Sequence, residues 1–225
     1  MEPKKTIFTE RPALIEPEGS VARINFDIEE STEVVNQGEG QEAETRTVFL
    51  AHIVRVEQPL TVDRIKAALL EAGFDEYKAE EQAALTLLSE VQNGKPVGDE
   101  VALARRIALA RINAYDQSNE VNGFTIGQVK TWLPAEKRAQ LKQRFLTEQA
   151  HNVETSNLVI EELGVAVPLA PEAGLQWLDT LGFYAIKSYD RPAPNKAAVA
   201  QLTDVSAILN YDYKAGYPEQ PVFGE

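Results

Sequence analysis

Phe124-Thr125-Ile126-Gly127-Gln128-Val129-Lys130-Thr131-Trp132 is the stretch whose reading decides the fold class. Two short β-prone runs flank a two-residue connection, and Gly127 supplies the positive φ that the first position of a type II′ hairpin turn requires. Pro134 then opens a helix where its missing N–H costs nothing, with Leu141 and Phe145 on the inner face. The plan recurs further along. Residues 157–160 and 165–168 read as a second hairpin around Glu161-Glu162-Leu163-Gly164, and Pro171 starts a helix bearing Leu175, Trp177, Leu178, Leu181, Tyr184 and Ile186. Two hairpin-then-helix units laid side by side can bury one face of a four-stranded sheet under their helices, which predicts an α+β domain over residues 96–225.

Toward the N-terminus, Val21, Ile24, Phe26 and Ile28 approach alternation and residues 48–56 are β-branched-rich, so the two runs are expected to pair as a hairpin. Between them residues 29–44 are rich in glutamate and contain Gly38 and Gly40, the composition of a mobile loop tip. Residues 1–18 hold Pro3, Pro12 and Pro17 and read as an extended arm. After Pro59, Thr61 is placed to cap a helix with Val62, Ile65, Leu69 and Ala72 at helical spacing and Gly73 as its stop. A second helix runs to about Val91 with Tyr77, Ala84, Leu88 and Val91 as its stripe, leaving Glu76, Glu80, Glu81 and Glu90 largely in water. Residues 93–98, Asn-Gly-Lys-Pro-Val-Gly, have linker composition, and the boundary is expected there: an N-terminal hairpin-plus-helix part over 19–95, then the C-terminal domain. Asp99 caps a third helix whose apolar side is broad, from Val101 to Ile112. Residues 195–202 and 203–210 read as two short helices and 211–225 as a tail.

Composition narrows the function classes. The chain has 225 residues, 35 acidic against 22 basic, and a net charge of -13, which repels phosphate backbones, so no nucleic-acid partner is expected. No cysteine means no thiolate nucleophile, disulfide or cysteine metal site. No apolar run reaches the ~20 residues that span a bilayer, so no membrane insertion and assembly in a cytoplasm are expected.

Candidate sites are sparse. His52 and His151 stand in no metal or triad spacing, and no Gly-x-Ser-x-Gly elbow occurs. Gly38-Glu39-Gly40-Gln41-Glu42-Ala43 imitates a dinucleotide fingerprint, but it leads from one strand to another instead of into a helix. Asp116 with Glu120, Glu161 with Glu162 and Asp179 with Asp190 are formal carboxylate pairs, expected by chance in so acidic a chain. No catalytic, cofactor-binding or metal residue is assigned, and no enzyme activity is expected. One basic cluster, Lys130, Lys137, Arg138, Lys142 and Arg144, could dock an acidic partner, although a solvated helix face explains it as well. Trp177, Phe183 and the tyrosines beyond residue 183 form an aromatic-rich region that could stack on sugar rings, although their helical spacing also fits packing.

A last feature is the order of landmarks: Arg105-Arg106, Asn113-Ala114-Tyr115-Asp116, Val121-Asn122-Gly123-Phe124-Thr125-Ile126, Lys196-Ala197-Ala198-Val199, Tyr211-Asp212-Tyr213 and Gly216-Tyr217-Pro218-Glu219. This order resembles a domain of unknown function in Bacteroides-type phage and prophage proteins, related to one found beside tail-fibre assembly proteins. The resemblance covers about residues 102–219 and carries no catalytic residues. It implies a non-enzymatic structural or assembly component of a phage particle (tail, fibre, neck or head-associated). Such a component would bind itself, other virion proteins or both, as a homo-oligomer or within a larger assembly, and reside in the virion after assembly in the host cytoplasm. The alternative is a glycan-binding module resting on Trp177 and Tyr217.

Overall fold

The computed structural model describes residues 5–35, 44–93, 99–160 and 164–224. The class is α+β: N-terminal strands, then helices, then small sheets interleaved with helices. The chain divides into two compact units, residues 1–111 with 198–211, and 112–197 with 212–225. This corrects the expected boundary near residue 95. Linker composition misled: residues 94–98 lie outside the described ones, and the chain changes unit inside the helix that follows, whose stripe continues the first core.

Unit 1 is built on an antiparallel sheet ordered β1-β4-β3-β2, where β1 is Thr6–Phe8, β2 Ile15–Glu18, β3 Val21–Val35 and β4 Glu44–Glu57. The expected hairpin is the β3–β4 pair, with Ala22, Ile24 and Phe26 opposite Val56, Val54 and His52 on the buried face. Two expectations are corrected here. Residues 6–8 and 15–18 are edge strands and not a free arm. Asn25 is fully buried, donating its side-chain amide to Ala13 O at 2.7 Å and to Glu16 Oε1 at 3.1 Å, and Arg23 pairs with Glu16, so the proline-rich segment is pinned to β3. Pro17 is tolerated because β2 is an edge, where a missing N–H breaks no ladder. Residues 29–35 and 44–47 are strand and not loop, a two-stranded ribbon in which Glu33 faces Arg46 at 2.7 Å, after a bulge where Asp27 takes φ 51°. The remainder of the expected loop, 36–43, lies outside the described residues.

Helices α1 (Val62–Glu71), α2 (Glu76–Gln92) and α3 (Glu100–Gln117) supply the other side of this core. Thr61, Asp75 and Asp99 each accept a backbone N–H at the start of their helix. The acids of α2 are not simply solvated. Glu90 is buried, and Glu80 accepts from Arg106 at 2.6 Å and Lys66 at 3.2 Å while Glu81 accepts from Arg111 at 2.7 Å. Burial opposes ionisation of Glu80, yet Arg106 and Lys66 outweigh it and hold the carboxyl below its ordinary range.

In unit 2 the hairpin of β5 (Phe124–Ile126) and β6 (Val129–Thr131) forms as expected, with Gly127 at φ 58°. The two hairpins do not share a four-stranded sheet. Instead β9 (Val222–Phe223) lies parallel to β5, through Thr125 N to Pro221 O and Gly127 N to Phe223 O, both 2.9 Å. The sheet order is β6-β5-β9, and β7 (Ser156–Ile160) with β8 (Val165–Leu169) makes a separate two-stranded sheet. The expected tail thus contains a strand, and Phe223 is buried. Phe124, Leu133, Leu141, Phe145, Leu158, Ile160, Leu178 and Leu181 form the core beneath α4 (Ala135–Ala150) and α5 (Pro171–Tyr189). Short helices α6 (Pro192–Gln201) and α7 (Val205–Leu209) follow as expected.

The α4–α5 contact is set by one close approach. A Cβ on Gly174 would lie 2.5 Å from the fully buried Phe145 ring. Gly174→Ala is therefore expected to destabilise the protein by about 1–3 kcal/mol through overpacking, read as a lower midpoint in denaturant unfolding; an unchanged midpoint would contradict this packing.

Candidate functional site: the α4–α5 face

Beyond the Phe145–Gly174 contact, α4 and α5 line a groove of about 420 Å³ whose walls include Arg138, Lys142, Leu178, Gly182, Phe183 and Ile186. Leu178 is its buried floor. Phe183 and Ile186 are each 61% exposed, and Tyr189, at the next helical step, is 59% exposed. Ile186 is thus not the core residue its spacing suggested. The period of α5 is right, but the stripe is wider than the surface that covers it.

Two cations of the basic cluster, Arg138 and Lys142, line the same groove. Lys142 reaches Asp179 at 2.7 Å, tying α4 to α5, and Arg138 donates to Leu133 O at 2.5 Å while lying over the Trp132 ring at 5.1 Å. Lys187 sits 4.4 Å from the centre of the Phe183 ring. The remaining members go elsewhere: Arg144 donates to Ser156 and Asn157. What results is an apolar trough with a cationic margin, suited to an apolar side chain flanked by carboxylates.

Gly182 marks the trough as unusual. A glycine inside a helix costs up to about 1 kcal/mol relative to alanine, and Gly174 has a reason for it in Phe145. Gly182 has none within the fold, since a Cβ there would meet nothing within 4 Å.

Other expected positions are placed elsewhere. Trp177 stacks on Phe223 with ring centres 4.6 Å apart, and Tyr184 is buried with its hydroxyl donating to Val121 O at 2.7 Å. His52 is buried between Phe26 and Phe74. It borders a cavity of about 470 Å³ whose charges pair among themselves, Lys5 with Glu29 at 2.5 Å and Lys78 with Asp27 at 3.5 Å. His151 caps the end of α4. Among the described residues no three His, Asp or Glu side chains group as metal ligands, and no helix is long and apolar enough to cross a membrane. The Gly38–Ala43 fingerprint and the Glu161–Glu162 pair lie outside the described residues.

The landmark residues do converge. Tyr115 is flanked edge-on by Tyr213 at 5.7 Å and Tyr217 at 5.1 Å, so the two later tyrosines clasp the end of α3. Buried Asn195 donates to Tyr213 O at 3.0 Å, and Gly216, at φ 81°, lets Arg191 approach its Cα face. The Tyr217 hydroxyl and Asp116 Oδ1 are buried without a hydrogen bond of ordinary geometry, though close enough to act on each other's proton affinity. Burial and then the Asp116 charge push Tyr217 up to about 12. Burial raises Asp116 above its ordinary range against the opposing pull of Lys196. Glu120, its formal carboxylate partner, pairs with Lys214 at 3.0 Å instead. Pairing across this distance in sequence is invisible to local periodicity; only the tyrosine enrichment hinted at it.

Comparison with protein-family models, curated proteins and solved structures returns no match for this chain.

Two measurements check these assignments. Gly182→Ala is expected to leave the fold intact and stabilise it by up to about 1 kcal/mol, the opposite sign to Gly174→Ala in the same helix. Because the folded-state pKa of Asp116 is raised, its contribution is favourable below its unfolded pKa and is lost as pH rises through the folded value. Asp116→Asn should therefore raise the melting temperature at pH 7, with the gain shrinking as pH falls into the carboxylate range; a gain independent of pH would refute the burial of that charge.

Proposed function

We propose that this chain is a non-enzymatic structural or assembly component of a phage or prophage particle, working through protein–protein contacts. The observation that carries the contact reading is the α4–α5 trough: a protein that keeps Phe183, Ile186 and Tyr189 in water beside an open cationic groove bears a cost in solubility that a partner surface removes. The phage setting is supported by the landmark order from Arg105 to Pro218, whose tyrosines meet in one cluster. Many weak contacts per subunit add by effective concentration in a particle, so a single modest groove suffices for incorporation.

The test is direct. Particles released from a host carrying the encoding element should contain the chain at fixed stoichiometry by mass spectrometry, and Phe183→Glu should lower its incorporation at least tenfold while the free protein stays folded. Particles assembled without the chain would sink the reading.

A second reading, a glycan-binding module, draws on a hollow of about 190 Å³ where Trp132 meets Asn119, Asn122, Lys130 and Thr131, an aromatic wall with amide and hydroxyl groups of the kind sugar rings use. A glycan array with Trp132→Ala as control separates the two, since glycan capture lost in that variant and retained in Phe183→Glu belongs to the hollow.

A further inference from the structure

We propose that the α4–α5 trough receives helix α1 of a second copy of this chain, giving head-to-tail self-association. The proposal rests on the contact reading above and names its partner. Three observations lead to it.

The trough needs an occupant that approaches closely at Gly182, where the fold itself leaves space unfilled. It also needs carboxylates for a margin of Arg138, Lys142 and Lys187, of which Asp179 answers only Lys142. Two troughs facing each other would bring cation against cation, so pairing of trough with trough is disfavoured and contact with a different, acidic surface of the second copy is favoured.

The chain offers such an occupant. Most of its net charge of -13 falls in unit 1. Among the described residues of that unit the large exposed apolar side chains are Ile7 and Leu70. Leu70 is 42% exposed on α1, and Asp63, Ala67 and Glu71 are exposed on the same side of the helix, at the three- and four-residue steps that share a face. This ridge has one apolar knob between acids at either end, against a trough with one apolar hollow between cations. The carboxylate of Asp63 already accepts from Arg106 at 2.8 Å, which orients it without removing its exposure.

A trough and a ridge on different parts of one chain make an interface that does not use up its own ends, so each copy can take a further one until the geometry closes. The full chain, followed by sedimentation velocity over a wide concentration range, should rise in average mass above the 24.9 kDa of one copy, and less so at high salt. Phe183→Glu and Leu70→Glu, both at exposed positions, should each remain single chains with unchanged circular dichroism. Their mixture is decisive: one keeps the ridge and the other the trough, so together they should form a 1:1 complex that grows no further. A wild-type chain that stays single at every concentration overturns the proposal, as does a mixture that does not combine, or Leu70→Glu associating like the wild type. Particle incorporation of a chain that is single in solution would leave the contact reading standing and remove only this one.

Discussion

The ring of Phe145 lying where Gly174 has no side chain is the constraint on which unit 2 depends. A fully buried aromatic on α4 and a missing Cβ on α5 let the two helices close at that level, and the residues above it, Arg138 and Lys142 on one side and Gly182 and Phe183 on the other, are left apart. The trough is thus a by-product of the core: tight at one level, open at the next. Interiors packed to crystal-like density transmit such local spacing without averaging it away. That is why a surface feature here can be argued from a buried pair.

Unit 1 illustrates the opposite use of charge. Its carboxylates are largely engaged within the unit, with Lys66, Arg106 and Arg111 spread over α1 and α3 and meeting Glu80 and Glu81 on α2. Half-buried pairs of this kind fix the register of helices against one another more than they add stability. The cations around the trough differ, because Lys187 and Arg138 are held by ring faces and a carbonyl and retain their charge for use outward. The same residue types serve interior order in one unit and an exterior margin in the other.

Much of this was legible in the sequence, for identifiable reasons. The β5–β6 hairpin, the helix starts at Thr61, Asp99 and Pro171, and the inner face of α4 all rest on local chemistry: a glycine turn, a side-chain cap, a spacing of four. The failures share a cause too. β9 is two residues long and has no period to detect. Residues 15–18 looked like an arm because prolines forbid a central strand and say nothing against an edge. The glutamates of 29–35 looked like a loop because acidity argues against burial, and a two-stranded ribbon needs none. Ile186 lies outside the core because it sits about 100° around α5 from buried Ala185, off the stripe of Leu178, Leu181 and Ala185, and apolar character by itself gives no direction. The trough itself was half visible, in the basic cluster, and half not, because nothing in a linear string distinguishes the glycine that Phe145 demands from the one that nothing inside the fold demands.

The parallel strand at residues 222–223 has a consequence for biosynthesis. On a ribosome the β5–β6 hairpin emerges long before its third strand does, and residues 198–211 reach unit 1 later still than the helices they join. Each unit therefore waits for residues far downstream of its first elements, and at elongation rates of roughly 5–20 residues per second β5 spends several seconds with an unpaired flank. A chain halted before residue 222 keeps that flank open, and an unpaired strand edge is a ready template for pairing with other chains.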